Sequence, residues 1–491
     1  MLFLHSVLGR TSARRLLGSF VLAICVAACG SGRTSVGGET KPITVTSTAS
    51  QEQLHVYFGS LHSHTSYSDG SGTPEEAYRY ARQQGHLDFM AITEHNHIHC
   101  EDGAGARRDG LMIAKDPDLY NGQQAFSLIS AANHANEDGK FVAIYGQEFS
   151  TISSGNHVNV FDVKKVIDVP NGQFDKLLEW MANNHDSSGQ VPVLQFNHPS
   201  SDLRKQHIEY GADDFGNQAA WIEKMGAAAY LIEILNGPGT KDANGQQPEK
   251  FEGDFLDYLS LGFHVAPTGD QDNHYRTWGT ETDARTGIIS PSLTRASILE
   301  AIRKRHVFAT EDKNLAVIFK VNGHLCGDRI KPPAKGSDLT IEYSLIDGDE
   351  PAASYVIEVF AGKIGGERAR VIETVASNGN TPQGEVRLIS DLTYTGDFDY
   401  CFFRITQKDE DGHPDHAWTS PIWFDGKDDG VAPAPIVPPQ PDVQTAVASK
   451  KSLTYHVSPE CRDAKKIKIE NRVTGEDAVK GRTLHEGCPL K

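Results

Sequence analysis

Between residues 55 and 313 short apolar runs alternate with longer amphipathic segments. His55–Leu61, Leu87–Thr93, Phe141–Tyr145, His157–Phe161, Val191–Phe196, Tyr230–Leu235 and His264–Thr268 read as strands. Thr73-Pro74-Glu75-Glu76 is a helix start, with a capping Thr, Pro at the first helical position and Glu three residues on. This helix is expected to run to about Gln84, with Gly85 as its stop. Phe174–Asn183, Phe251–Leu261 and Leu293–Arg305 also read as helices, the last with basic residues in its final turn. Such alternation predicts an α/β fold with parallel strands, most simply a barrel. In a barrel of this kind the chemistry sits at the C-terminal ends of the strands.

From Leu315 the period shortens. Leu315–Val321, Leu339–Leu345, Tyr355–Phe360, Val371–Val375, Val386–Ile389, Tyr400–Ile405 and Trp418–Phe424 are separated by Gly, Asp and Asn turns. Residues 314–424 are therefore expected to form a β-sandwich of immunoglobulin type that packs on the barrel or shapes the substrate entrance. Residues 425–449 read as a Pro-rich linker. Residues 450–491 form a small basic module, with 10 Lys+Arg against 6 Asp+Glu. Its Tyr455-His456, Cys461 and Cys488 weakly resemble short modules appended to some nucleases, but two cysteines favour a disulfide over zinc.

The front of the chain reads as an address. Arg10, Arg14 and Arg15 precede an acid-free apolar run, Leu16–Ala28, whose 13 residues are too few to span a bilayer. Val26-Ala27-Ala28-Cys29 resembles a bacterial lipobox, making residues 1–28 a lipoprotein signal, Cys29 the lipidated residue and 29–54 a flexible tether. An ordinary export signal cleaved near Ala28 is the alternative. Either reading sends the chain out of the cytoplasm. The first anchors it in the cell envelope, at the outer membrane on the periplasmic side or surface, with membrane contact through the lipid alone.

The chain has 491 residues and a net charge of −18, which becomes −21 without residues 1–28. That balance disfavours a nucleic-acid partner, which needs a basic face. Of 7 cysteines, Cys25 leaves with the signal and Cys29 is taken by lipid. In an oxidising compartment Cys461–Cys488 and Cys326–Cys401 are candidate pairs, and Cys100 has no local partner. Histidine changes the picture most. Fifteen of 21 lie between 55 and 313, and many of them follow predicted strands. His62-x-His64 with Asp69 follows the first, Glu94-His95 closes the second and Glu148 follows the third. His157 opens a strand, His198 follows another, and Asp270, Asp272 and His274 follow the last. His-x-His on a strand puts both imidazoles on one face. Six histidines with three carboxylates exceed what one tetrahedral ion uses, so two or three divalent transition metals (Zn, Mn or Fe) are expected. Such a cluster equips a site to hydrolyse an ester.

The pattern His62-x-His64-Thr65-x-x-Ser68-Asp69-Gly70, Thr93-Glu94-His95-Asn96, Glu148, His157, His198, Asp272-x-His274 resembles the PHP (polymerase and histidinol phosphatase) metallohydrolases. Thr-Glu-His-Asn-His at 93–97 and Gly-Asp-Gln-Asp-Asn-His at 269–274 are similar to the branch that includes carbaryl hydrolases. The resemblance covers about residues 55–313 and implies a distorted (β/α)7 barrel with a trinuclear site. It implies that His62, His64, Glu148 and Asp272 hold one metal, that Asp69, His95 and His274 hold a second, and that Glu148, His157 and His198 hold a third. Glu148, Asp272 and His274 become the catalytic residues. Many members have Asp where this chain has Glu94 and His where it has Asp69. The added charge at Asp69 favours harder ions such as Mn or Fe beside Zn.

Glu94, Glu233, Asp270 and Arg276 are further pocket candidates. Glu233 either faces the barrel mouth or serves a turn, Asp270 is placed behind His274, and Arg276 either clamps an anionic substrate or pairs with a nearby acid. His97 and His99 are expected behind the ligands or in solvent. The expected activity is hydrolysis of a small-molecule ester, first a phosphomonoester or phosphodiester, with a carbamate or carboxylic ester as the alternative. A catalytically inactive surface binding module is the alternative of another class.

Overall fold

The computed structural model describes residues 43–46, 53–96, 116–121, 124–149, 157–170, 173–199, 218–239, 246–382, 385–389, 392–408 and 414–426, with the short strands at 447–449, 454–455, 472–474 and 483–484. The fold is mixed α/β, with one large sheet, a smaller four-stranded sheet and few helices.

In the first part the strands are β1 (Ile43–Thr46), β2 (Gln53–Ser60), β3 (Phe89–Asn96), β4 (Val142–Phe149), β5 (Val158–Phe161) and β6 (Leu194–Phe196). They continue as β7 (Ala229–Asn236), β8 (Glu249–Lys250), β9 (Ala266–Gly269), β10 (Arg285–Ser290) and β11 (Val307–Thr310). Their hydrogen-bonded order is β11-β10-β2-β3-β4-β5-β6-β7-β8, with β9 beside β7. The sheet curls back on itself, because the Gly269 amide donates to Thr286 Oγ1 of β10 at 3.0 Å and that hydroxyl donates to the Gly269 carbonyl at 3.2 Å. Every residue of β3 and β4 is buried, as expected of parallel strands covered on both faces.

The sheet is not uniformly parallel. β2, β3 and β4 run parallel, as do β6, β7 and β9, but β5 lies antiparallel between β4 and β6. A parallel partner needs a crossover of a dozen or more residues, and residues 150–157 are too few. β10 and β11 arise where the apolar pattern predicted no strand. In β10 Gly287 is required, since a Cβ there would lie 2.1 Å from the Phe308 ring.

The helix Pro74–Gln83 starts as expected, with a complete Thr73–Glu76 capping box. It buries Pro74, Ala77, Tyr78 and Ala81 on one face. Glu252–Leu261 ends at Gly262, whose φ of 106° fits the left-handed cap. Thr294 caps Arg295–Arg303. Leu128–Ala135 and Gln218–Ala228 are helices that the sequence pattern did not predict.

The second part contains β12 (Ala316–Val321), β13 (His324–Leu325), β14 (Ile341–Ile346), β15 (Ser354–Gly362), β16 (Arg370–Asn378), β17 (Arg387–Ile389), β18 (Tyr400–Lys408), β19 (Asp415–Thr419) and β20 (Ile422–Trp423). The sheet β13-β12-β14-β17 faces the β16-β15-β18-β19 end of the large sheet across one apolar core. Phe319 and Tyr343 of one sheet meet Phe403 of the other, with ring centroids 4.1 and 6.2 Å apart. β19 pairs with β11, so the large sheet runs through the boundary expected at 313/314.

Cys326 and Cys401 do not form the candidate pair. Both are buried free thiols in this core, where a thiol packs as a small hydrophobe. Cys29, Cys100, Cys461 and Cys488 lie outside the described residues, as do His97 and His99. The end of the expected linker, 447–449, pairs antiparallel with 472–474 of the last module, within which 454–455 pairs parallel with 483–484. Among the described residues no helix is long and apolar enough to cross a membrane.

Asp425 ties the end of the second part to the first, 2.8 Å from His264 Nε2 and 3.0 Å from Arg329. Burial would raise its carboxyl, but the hydrogen bonds from His264 and Arg329 outweigh burial and bring it down to about 2. A depressed carboxyl stabilises the fold above the unfolded value of 3.8 and loses that contribution as pH falls through about 2. Asp425→Asn is expected to cost about 1–2 kcal/mol at pH 6 after allowance for solvent screening, with the gap to wild type closing toward pH 2. Urea melts of both proteins across that range check it; a gap independent of pH would refute the assignment.

Candidate metal centre

The histidines gather because β2 ends where two other segments hold it. The Leu61 amide donates to Asp270 Oδ1 at 2.5 Å, the His64 amide to the Asn273 carbonyl at 2.8 Å and the Thr93 amide to the Ser63 carbonyl at 2.9 Å. His62 and His64, two residues apart on the extended chain, project to the same side. Asp69 sits in the tight turn Thr65–Gly70, closed by the Gly70 amide on the Thr65 carbonyl at 2.9 Å. A Cβ on Gly70 would lie 2.8 Å from the His64 carbonyl carbon, so the turn needs glycine.

His95 and Glu148 are register partners on β3 and β4. Glu148 Oε2 lies 2.9 Å from His95 Nδ1 and 3.3 Å from His64 Nε2, while Oε1 lies 2.9 Å from His157 Nδ1 and 3.3 Å from both His62 Nε2 and His198 Nε2. Asp272 Oδ1 lies 3.2 Å from His62 Nε2, 3.0 Å from His64 Nε2 and 3.6 Å from His274 Nδ1. Asp69 Oδ1 lies 3.2 Å from His274 Nε2 and 3.7 Å from His95 Nε2. Donor atoms converge within 4.8 Å in three overlapping groups: His62, His64, Glu148 and Asp272; His64, Asp69, His95 and His274; and His95, Glu148 and His157. The first group is the set that the family resemblance implies. The second gains His64, and the third has His95 where His198 was expected. Two of the residues, His198 and Asp272, have positive φ, 25° and 45°. Backbone held in this region by its surroundings is a mark of functional sites.

The carboxylates and imidazoles of the cluster shift one another strongly. Burial would drive Glu148 up, but the imidazoles of His62, His95 and His157 hold its carboxyl well below the usual range. Asp272 and Asp69 are likewise held low against burial, by His62, His64 and His274 and by His274, His95 and His64 respectively. Burial lowers His62, His198 and His274, yet the neighbouring carboxylates more than reverse it, and His274 rises to about 10. His157 is lowered instead, because there burial outweighs Glu148. Glu148 Oε2 and Asp272 Oδ1 are buried and accept no hydrogen bond among the described residues, although imidazole nitrogens stand within 3.3 Å. These buried His, Asp and Glu groups could hold metal ions: imidazole nitrogens and carboxylate oxygens converge, and two of the oxygens lack any other partner.

Three of the four pocket candidates sit elsewhere than a substrate would touch. Glu233 is fully buried and accepts from His62 Nδ1 at 2.7 Å, the His198 amide at 2.5 Å and Asn236 Nδ2 at 2.8 Å. It therefore turns His62 Nε2 toward the cluster. Glu94 is fully buried and accepts from the Thr65 amide at 3.0 Å and from the hydroxyls of Thr65 and Ser68, so it secures the turn that carries Asp69. Burial pushes its carboxyl up to about 7 against those hydrogen bonds. Asp270 does not stand behind His274. It braces Leu61, Thr286 and Gln195, and burial, with Glu233 nearby, raises it to about 6. Arg276 is exposed and 3.4 Å from Glu76, taking the role of a pair with a nearby acid.

Sequence reasoning missed Gln195 and Asn197. Asn197 Nδ2 donates to Glu148 Oε1 at 3.0 Å and Gln195 Nε2 to Asp270 at 3.1 Å. Two amides flanking Phe196 at the end of a buried strand were the available signal. The Trp278 indole N–H, 3.1 Å from the His64 carbonyl, had none. A cavity of about 560 Å³ opens beside the centre, lined by Asp272 and His274 on one side and by Asn236–Gly239 and Gln247–Glu249 on the other.

No family model matches the chain, and no solved structure matches it significantly. It is 22% identical over 401 residues to an uncharacterized protein of Chlamydia muridarum (strain MoPn / Nigg), and 22% identical over 402 residues to an uncharacterized protein of Chlamydia trachomatis serovar D. Each alignment covers 76% of this chain and 58% of the relative, so the chain matches little more than half the length of these relatives.

Since neighbouring carboxylates raise His62, His198 and His274 in the metal-free protein, a metal ion competes with protons for these nitrogens. Adding Mn or Zn at pH 7 is expected to release protons, with affinity rising as pH rises. Calorimetry in buffers of different ionisation enthalpy measures this; binding without proton release would refute the donor assignment.

Proposed function

We propose that the chain is a metal-dependent hydrolase of the PHP type, acting first on a phosphomonoester or phosphodiester. In this reading residues 55–313 form a distorted (β/α)7 barrel and residues 314–424 an immunoglobulin-like sandwich. The curl of the large sheet and the two runs of parallel strands support the first. The observation that carries the activity is the sharing of donors. Glu148, His64 and His95 each belong to two of the three convergent groups, an arrangement suited to two or three neighbouring divalent ions rather than one. Such ions, Zn, Mn or Fe, would supply Lewis-acid polarisation of a phosphoryl or acyl oxygen and a nucleophile at neutral pH.

The protein's own residues divide the remaining tasks. Glu148 and Asp272 bring negative charge where cations must sit, and the imidazoles complete the donor set. Asp272 and His274 also line the cavity, so the reacting part of an ester meets them first. A carbamate or carboxylic ester is the second reading. It is favoured by the cavity's carboxamides at Asn236 and Gln247 and the acid at Glu249, which suit an uncharged substrate. Residues 1–28 and Cys29 fit an export signal with a lipid anchor, which would put this chemistry in the cell envelope.

The test is turnover by metal-reconstituted protein of bis-p-nitrophenyl phosphate against a naphthyl carbamate. Phosphodiester cleavage is expected to be the faster; turnover of the carbamate alone would replace the phosphoesterase reading, and turnover of neither would leave a binding module. His64→Ala removes a donor from two groups and is expected to lower activity or metal affinity at least about 100-fold. Unchanged activity and metal content in that variant would contradict the site.

A further inference from the structure

We infer that the two-sheet region is part of the substrate site: Glu311 holds the outer wall of the cavity beside Asp272 and His274, and so acts as a positioning residue for the uncharged, non-reacting portion of an ester. This rests on the hydrolase reading.

The wall is Gln247, Pro248 and Glu249. Glu249 belongs to β8, a strand of two exposed residues at the sheet edge, with the register pairs Leu235↔Lys250 and Asn236↔Glu249. So short a strand has little stability of its own. A second tie comes from the other side. Lys250 Nζ lies 2.8 Å from the Glu311 carboxylate. Glu311, which follows β11 and is almost fully buried, also accepts from His416 Nδ1 at 2.8 Å and from the His416 amide at 3.0 Å. Its own amide donates to the His416 carbonyl at 2.9 Å. One buried carboxylate thus takes donors from Lys250, next to the cavity wall, and from β19. Charge-assisted bonds to a buried acid are stronger and more directional than an exposed pair. Two more ties follow in the same segment: Arg404 of β18 lies 2.7 Å from Glu252, and Arg368 pairs with Asp257.

The lining gives the chemistry of what the wall would contact. Asn236 and Gln247 offer amides, Pro248 an apolar ring, and Glu249 a carboxylate that opposes an anion. About 560 Å³ lies within the range of small-molecule sites. The fit is to a neutral aryl or alkyl substituent able to accept or donate a hydrogen bond.

Full-length, metal-loaded Glu311→Ala and Lys250→Met are compared with wild type, using bis-p-nitrophenyl phosphate kinetics and amide hydrogen exchange. Exchange at residues 247–252 is expected to quicken about tenfold and KM to rise about five- to tenfold, with kcat within about twofold and metal content unchanged. Glu311→Gln, which keeps the acceptor oxygen, is expected to recover most of the KM. Lys250 is partly exposed, so its variant tests the tie without disturbing the core. Unchanged exchange and KM in both variants would overturn the inference, as would a loss of thermal stability with KM intact. Wild-type protein that cleaves no ester would remove the hydrolase reading instead, a result distinct from unaltered KM in active variants.

Discussion

The carboxylate of Glu148 has no access to water, and the rest of the site follows from that constraint. A buried anion persists only with positive charge and donors around it. Here five imidazoles from four separate segments stand within 3.3 Å of its two oxygens, and one oxygen still accepts no hydrogen bond. In metal-free protein the carboxylate raises His62 and His198, a coupling that meets part of the demand. Cations meet it better, because one ion can serve several donors at once. The same carboxylate then belongs to two groups and couples them, so that loss of Glu148 would disturb more than one ion.

Behind the donors stands a second set of buried acids. Glu94, Glu233 and Asp270 touch none of the convergent groups' shared space, yet each fixes a segment that does: the Asp69 turn, the ring of His62 with the backbone of His198, and the end of β2. The strand ends are thereby locked before any ion arrives, an order that favours geometric selectivity among divalent metals. The positive φ at His198 and Asp272 belongs to the same economy of local strain held by a rigid surround. The two-sheet region continues the large sheet through β11 and β19, which is why Glu311, just after β11, can reach Lys250 of the edge strand β8 and Arg404 of β18 can reach Glu252 just beyond it.

Much of this was legible in the sequence because the donors are local to strand ends. His62-x-His64, Glu94-His95 and Asp272-x-His274 lie where an apolar run stops, and the structure brings them together with Glu148, His157 and His198. The capping box at Thr73 was readable from residue type alone. Other features depend on distant partners. That Asp270 braces Leu61 while Arg276 faces Glu76 is fixed by register between segments about 200 residues apart, which no local pattern carries. The reversed direction of β5 follows from a short connection, but the connection's length could be judged only once both strand ends were known. β10 was hidden by Gly287, a residue poor in strands and demanded here by the Phe308 ring. The Cys326–Cys401 pairing failed because compartment and count say nothing about where a thiol points.

The most direct test of the central claim is anomalous diffraction from crystals of the protein grown with manganese. The account expects two or three strong peaks around the Glu148 carboxylate, at least one of them shared with His64. A map with no peak there, or with bound manganese held only by other residues, would contradict it.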